Sequence, residues 1–314
     1  MVVIRSIARS ELAAFARLGG AGASADRLET ELAEMWRSGE GRPEWCLLAE
    51  VGKLMVGRLA MAALPVGCGL DTLEHRLVVP WLADGTEDAE QVVRGLLEAS
   101  VAALPPGAQT LDARLHAELR PDLAIWRGAL ESSGFTVFQE KQGFLWTDDQ
   151  DPPSPTPRLR FRTLAEVGGD AYAAAMARGI AGTLDRNDRH YVGLCGPDGW
   201  GREMLGYLGP GDDTSWLLAD DPGGSLVGYV ALSAFDEPDT ATVIHIGVLP
   251  ECRGRGYIDE LLTAAARAAR ARGLRHIFSD VDTENGPMLA AMRRAGHDPD
   301  ARGWHIWHYR LSLG

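Results

Sequence analysis

The chain has 314 residues, 46% of them hydrophobic and 24% charged. That composition supports buried cores and excludes a fibrous or broadly disordered protein, and the length allows about two domains. Lys and Arg number 31 against 44 Asp and Glu, a formal net charge of −13, which repels a phosphate backbone and argues against nucleic acid as the main partner.

Met1 to Leu18 carries Arg5, Arg9 and Glu11 before any apolar run forms, so no signal peptide is expected. No stretch reaches the ~18 uninterrupted apolar residues of a membrane span, and no membrane partner is expected. Cys46, Cys68, Cys195 and Cys252 are scattered, without C-x-x-C spacing or nearby paired histidines. Neither a zinc site nor a disulfide framework is indicated, and a reducing cytoplasm is the expected location.

The first half opens on a strand at Ile4-Arg5-Ser6-Ile7. Trp45 to Glu50, a glycine turn and a second strand containing Val56-Gly57 read as a hairpin. Leu77-Val78-Val79-Pro80 is a further strand, and a helix is predicted from about Glu87 to Ala103. An amphipathic helix over Asp122 to Ser133 is stopped by Gly134 and followed by a final strand. At 148–157 four prolines stand among acids, fixing φ and removing donors, which predicts a solvated linker between domains at 1–147 and 158–314.

The second half repeats that order. Phe161-Arg162-Thr163-Leu164 matches the opening strand, Trp216 to Asp220 with Val227-Gly228 matches the hairpin, and Met288 to Ala295 before Gly296 matches the closing helix. Between them, Ala241 to Pro250 predicts a strand with Thr242, Ile244, Ile246 and Val248 on one face and Val243, His245 and Gly247 on the other. Arg253-Gly254-Arg255-Gly256 follows, then a helix with Ile258, Leu261, Leu262, Ala265 and Ala269 on one side, ended by Gly273. His276 to Val281 is the next strand, joined by a right-handed crossover.

Two glycines at a strand-to-helix junction let the backbone approach a ligand, and the helix end adds positive potential, so this turn suits a phosphate or pyrophosphate. A nucleotide P-loop needs Gly-Lys-Ser/Thr, and this half has no lysine at all. The dinucleotide fingerprint needs a third glycine where Asp259 stands.

The order Val248-x-Pro250-x-x-Arg253-Gly254-Arg255-Gly256, then Leu261-Leu262, then Asn285 opening a helix, resembles the GNAT superfamily of acyl-CoA-dependent N-acyltransferases. The resemblance covers about 158–313 directly and the first half through the repeat. The whole is similar in layout to the tandem mycothiol synthases. It implies an α/β (α+β) fold of two tandem GNAT-like domains, each a mixed, mostly antiparallel twisted sheet flanked by helices. It further implies that the N–H groups of Arg253, Gly254, Arg255, Gly256, Tyr257 and Ile258 hold the coenzyme A pyrophosphate. Main chain at Ile246 and Val248 would pair with the pantetheine arm, and Asn285 would bond that arm or order the loop.

Several residues depart from that pattern. Ile258 replaces the usual small residue and sets a bulky side chain near the pyrophosphate, while Asp259 and Glu260 read as solvated first-turn acids. Met292 stands where many relatives have the tyrosine that protonates the leaving thiolate, and Met donates no proton. His297 reads as a surface residue at a helix end, where relatives have Phe. His245 is the only titratable residue of its strand and a candidate base, with Glu284, beside Asp280 and Asp282, able to attract a cationic amine or relay a proton. His305 and His308 point to opposite faces, so no metal is expected there, and Cys252 lacks a partner base.

In the first half the matching turn has one glycine, Gly85, among Asp84, Glu87, Asp88 and Glu90. It is expected to be a scaffold, although a second CoA held there as a fixture is compatible with its helix N-terminus. The expected function is acyl transfer, most simply acetyl, from CoA to a primary amine of a small molecule in the second domain, by a monomer or homodimer. The alternatives are a non-catalytic acyl-CoA sensor and a protein lysine acetyltransferase.

Overall fold

The computed structural model describes residues 2–20, 22–117, 121–149, 157–207, 214–234, 237, 239–299 and 304–314, with the backbone alone at 71. The chain forms two compact units. Unit 1 comprises Met1–Val66, Asp71–Phe138 and Trp307–Gly314, and unit 2 comprises Gly67–Leu70 and Gln139–Ile306. Most of the predicted linker, 150–156, lies outside the described residues.

Unit 1 is built from β1 (Val2–Ser6), α1 (Leu12–Arg17), α2 (Ala23–Ser38), β2 (Cys46–Val51), β3 (Leu54–Gly67), β4 (Leu70–Leu82), α3 (Ala89–Ala102), β5 (Thr110–His116), α4 (Leu123–Ser132) and the start of β6 (Thr136–Thr147). Strand β2 is buried on both faces because its alternating residues meet different helices. Leu47 packs with Leu96, Leu97 and Trp126 of α3 and α4, whereas Leu48 packs with Phe15 and Leu32 of α1 and α2.

Unit 2 adds β7 (Arg160–Thr163), α5 (Leu164–Val167), α6 (Gly169–Gly179), α7 (Arg186–Tyr207), β8 (Trp216–Asp220), β9 (Leu226–Ala234), β10 (Thr240–Val248), α8 (Tyr257–Ala271), β11 (His276–Asp282), α9 (Gly286–Arg294) and the start of β12 (His305–Ser312). Leu217 and Val230 face α8, while Trp216, Leu218 and Tyr229 face α6 and α7. The strand order is β1-β2-β3-β4-β5-β12 in unit 1 and β6-β11-β10-β9-β8-β7 in unit 2. These units depart from the division expected at 148–157. The last strand leaves unit 2 to lie beside β5, whose edge it covers, and such a return is invisible to a search for linkers.

The repeat extends to register. Gly57 and Arg58 sit opposite Ala49 and Leu48, as Gly228 and Tyr229 sit opposite Ala219 and Leu218, and both ladders shift at the next residue. β4 and β10 each run parallel to their neighbour over three register pairs. Arg5 bonds Glu50 and Arg162 bonds Asp220 across equivalent strand pairs.

The cysteine reading is corrected in unit 2. Cys68 and Cys195 form a disulfide across a sequence separation of 127, with Cα atoms 5.7 Å apart. Spacing along the chain does not measure this distance, because the fold closes it. Glu203 strengthens the same contact by accepting from the Cys68 N–H at 2.7 Å. Cys46 and Cys252 are free. No helix among the described residues is long and apolar enough to cross a membrane.

Candidate active site

The site in unit 2 begins where two parallel strands part. β10 and β11 pair only from Thr240–His276 to Thr242–Phe278. Beyond that, β10 stays with β9 as far as Val248–Gly228, and β11 stays with β6 as far as Asp282–Lys141. The inner edge of β10 from Val243 onward is therefore unpaired by β11, which opens a cleft lined by backbone donors and acceptors.

A bulge between Val243 and His245 re-aims the side chains here. It corrects the simple alternation: Val243 joins Ile246 on the α8 side, and Ile244 turns to the α6 and α7 side. His245 lies just past the bulge.

The cleft leads into the glycine turn. Pro250–Cys252 forms one short 3-10 turn, and Gly254 and Gly256 take φ of +75° and +74° before α8 begins at Tyr257. A Cβ on Gly254 would meet nothing within 4 Å, so the left-handed backbone, not crowding, calls for glycine. Arg253 is exposed along the turn. Its guanidinium turns back to donate to the carbonyls of Val248 at 3.0 Å and Gly179 at 2.8 Å, bracing the turn against the end of α6. Arg255 is exposed.

Three expectations at this turn change. Ile258 packs inward with the residues around Leu261, Leu262 and Val281, leaving its N–H in the first turn of α8 and its bulk away from the loop surface. Asp259 pairs with Arg294 at 2.8 Å. Glu260 is 5% exposed and binds Arg158 at 2.6 Å, since a buried carboxylate needs a partner. Arg158 also donates to the carbonyl of Arg255 at 2.9 Å and lies 4.5 Å over the Tyr257 ring. The sequence reading missed Arg158 because its partners are distant in the chain.

On the other side of β10, His245 lies between two hydrogen-bonding groups. Its Nε2 is 3.1 Å from Oδ2 of Asp188 in α7, and its Nδ1 is 3.0 Å from the Tyr229 hydroxyl in β9. Trp200 meets the imidazole edge-on with centroids 5.0 Å apart. Tyr229 is fully buried. Burial first, then the charge of Asp188, pushes its pKa well above the ordinary value. Its ring is closely flanked: a Cβ on Gly247 would stand 2.8 Å from it and one on Gly179 2.5 Å. The strand glycine at 247 is a signal for this close approach.

The carboxylates at the cleft end have separate duties. Asp282 is 2% exposed and accepts from Gln139, from the Arg186 N–H and from the Glu284 N–H. Asp185 accepts from Gln139 and from the Asp188 N–H. Burial raises its pKa, against the lowering pull of Lys141. Lys141 binds Asp280 at 2.5 Å with Asp185 at 3.7 Å. Burial would lower the Lys141 pKa, but those two carboxylates raise it overall, so it stays charged. Glu284 is 62% exposed and pairs with Arg189 at 3.2 Å, making no described contact with His245. Asn285 caps α9, its side-chain oxygen accepting from the Met288 N–H.

Met292 is buried among Phe144, Leu262 and Val281. His297 is buried too, at 3% exposure, which corrects the surface reading. Burial pushes its pKa down to about 4. Among the described residues no group of acids, histidines or cysteines is arranged to hold a metal. His305 bonds Glu140 in unit 2 and His308 bonds Asp112 in unit 1.

Unit 1 has a different filling at the equivalent place. Arg58 takes the register position of Tyr229 and donates to the carbonyls of Phe15 at 2.5 Å and Ala16 at 2.9 Å, closing the end of α1. Trp81 packs on Gly19, where a Cβ would come within 2.3 Å of its ring.

Residues 186–297, which run from the start of α7 to His297, match the model of the acetyltransferase (GNAT) family. A 91-residue part of the chain, 29% of its length, is 34% identical to a streptothricin acetyltransferase of Streptomyces lavendulae. The chain spans about half the length of that curated relative, 48%. A GCN5-related N-acetyltransferase from Sphaerobacter thermophilus superposes with a TM-score of 0.61 at 18% identity, over 99% of this chain and 95% of that one. A tandem GNAT protein from the clavulanic acid biosynthesis pathway superposes with a TM-score of 0.56 at 14% identity, over 100% of this chain and 99% of that one. At such identities the likeness shows the fold, and it is the tandem layout expected from the repeat.

Proposed function

We propose that this chain, whose residues 186–297 match the acetyltransferase (GNAT) family model and whose fold is that of a tandem GNAT protein, transfers an acyl group, most simply acetyl, from coenzyme A to a primary amine of a small molecule in unit 2. The observation that carries this reading is the parting of β10 from β11 directly ahead of the Gly254 and Gly256 turn. An extended thioester arm needs such an open backbone edge, and a pyrophosphate needs the N–H groups of a helix start.

In this reading Arg253, Gly254, Arg255, Gly256, Tyr257 and Ile258 supply the pyrophosphate cradle, with Arg158 and Arg253 holding its shape. Ile246 and Val248 offer main chain to the arm, and Asn285 orders the opening of α9 with an amide N–H₂ left to donate. Backbone N–H groups past the bulge polarise the thioester carbonyl, acting as fixed dipoles where negative charge develops. His245, the only ionisable side chain of β10, stands on the acceptor side against Asp188, and Glu284 adds negative charge at the rim.

The acids at the cleft end favour a cationic acceptor, and the likeness of one segment to a streptothricin acetyltransferase supports a small molecule. Unit 1 is a scaffold in this account, because Arg58 and Trp81 occupy the equivalent ground and the acidic turn around Gly85 repels a pyrophosphate. The buried Met292 favours one second reading, a non-catalytic acyl-CoA sensor.

The test is thiol release from acetyl-CoA with spermidine, lysine and kanamycin as acceptors, with the acetylated product confirmed by mass. Amine-dependent release supports the enzyme. Tight acetyl-CoA binding with no release on any amine leaves the sensor.

A further inference from the structure

Which side chain meets the acceptor follows from how the carboxylates are committed, and this inference rests on the acetyltransferase reading. Asp282 is buried and already accepts from Gln139 and two backbone N–H groups. Asp185 caps α7 and faces Lys141, Asp280 holds Lys141, and Glu284 lies out at the surface with Arg189. Asp188 differs. Its Oδ2 meets His245, its Oδ1 has no partner among the described residues, and its side chain is 17% exposed.

The imidazole explains why the acceptor should meet Asp188 first. An ionised carboxylate only accepts, so Nε2 of His245 carries the proton toward Asp188, and Nδ1 then accepts from the Tyr229 hydroxyl. Both ring nitrogens are committed. No lone pair on His245 is left to take a proton from an incoming amine. Tyr229, held between Gly179 and Gly247 and keeping its own proton, fixes the ring from behind.

We propose that Asp188 binds the ammonium of the acceptor and receives its proton, with His245 and Tyr229 as positioning residues that aim the carboxylate. The ammonium loses one proton to Oδ1 of Asp188, which passes it to water. The freed nitrogen lone pair forms the N–C bond to the thioester carbonyl carbon as the C–S bond breaks. The second nitrogen proton leaves with the thiolate, so the products are the amide and the CoA thiol.

Steady-state kinetics with the fastest acceptor among spermidine, lysine and kanamycin decide it. Asp188→Asn is expected to raise the acceptor KM about tenfold or more and to cut kcat/KM by about 10² or more. The acetyl-CoA KM is expected to stay within about twofold, because the two sites are separate, and Asp188→Glu should recover part of the loss. An unchanged acceptor KM, or an equal rise in both KM values, overturns the proposal. His245→Gln gives an independent reading, since it keeps a donor for Asp188 but has no basic nitrogen. Activity within about tenfold of the wild type supports positioning, and a loss of about 10³ makes His245 the base and overturns the assignment. A wild-type chain that acetylates none of the amines sinks the enzyme reading itself, whereas an active wild type with an indifferent Asp188 sinks only this inference.

Discussion

Arg158 and Glu260, 102 residues apart, meet at 2.6 Å beneath the glycine turn. Glu260 also accepts from the Arg158 N–H at 2.8 Å, so one buried carboxylate anchors both the side chain and the main chain just ahead of β7. Because Arg158 continues to the carbonyl of Arg255, the pair fixes the glycine turn from below. Arg158→Ala should leave Glu260 uncompensated and cost about 1–3 kcal/mol, less than a fully buried pair because Arg158 is 43% exposed. Urea unfolding measures that cost. Acetyl-CoA titration should show affinity falling about tenfold as the turn loosens, while an unchanged affinity would mean the turn holds itself.

His297 gives a pH signature. Its folded pKa is pushed down to about 4 by burial, below the unfolded value of ~6.5. Above pH 6.5 both states are neutral there and stability does not depend on it. As pH falls from 6.5 toward 4, the unfolded state takes the proton first, so up to about 3 kcal/mol is lost. His297→Phe should remove that part of the loss. Thermal unfolding of both proteins between pH 7 and pH 4 should give curves that converge at neutral pH and separate in acid. Parallel curves would show that His297 is not the group concerned.

The disulfide should be visible chemically. Alkylation of the denatured, unreduced chain is expected to modify the two free cysteines, Cys46 and Cys252, and all four after reduction. Cys195→Ser should cost about 2–4 kcal/mol, since the bond closes a long loop in the unfolded chain. Four reactive thiols without reductant would mean that the pair is reduced, as the cysteine spacing alone suggested.

Arg58 tests the proposed scaffold role of unit 1. It is 8% exposed, and burial lowers its pKa to about 10. Arg58→Met strips donors from the carbonyls of Phe15 and Ala16, which should cost about 2–3 kcal/mol. Acetyl-CoA affinity should stay within about twofold, as expected of independent sites. A large loss of affinity would place a coenzyme in unit 1.

The parts of this molecule that were legible in the sequence are those with local causes. Gly254 and Gly256 announce their turn because a left-handed backbone favours glycine, and α8 announces itself through the spacing of Leu261, Leu262 and Ala265. The internal repeat was readable because strand and turn chemistry recur in order, and it proved to hold at the level of register. What escaped depends on distant contacts. One extra residue at Ile244 flips the faces of β10, and no alternation rule predicts where a bulge falls. Asp188 had no local signal, because only the fold sets it against His245, 57 residues on. Arg158, His297 and the Cys68–Cys195 pair were hidden for the same reason.

The most direct test of the account is the acetyl-CoA dissociation constant of Gly254→Glu/Gly256→Glu compared with the wild type, by calorimetry. Both positions have positive φ, so each side chain is strained by about 1–2 kcal/mol and brings a negative charge to the proposed pyrophosphate cradle. The account predicts that the wild type binds and that the variant binds at least about 30-fold more weakly, with the thermal midpoint of unit 1 unchanged. An unaltered dissociation constant would contradict it and move the coenzyme away from this turn.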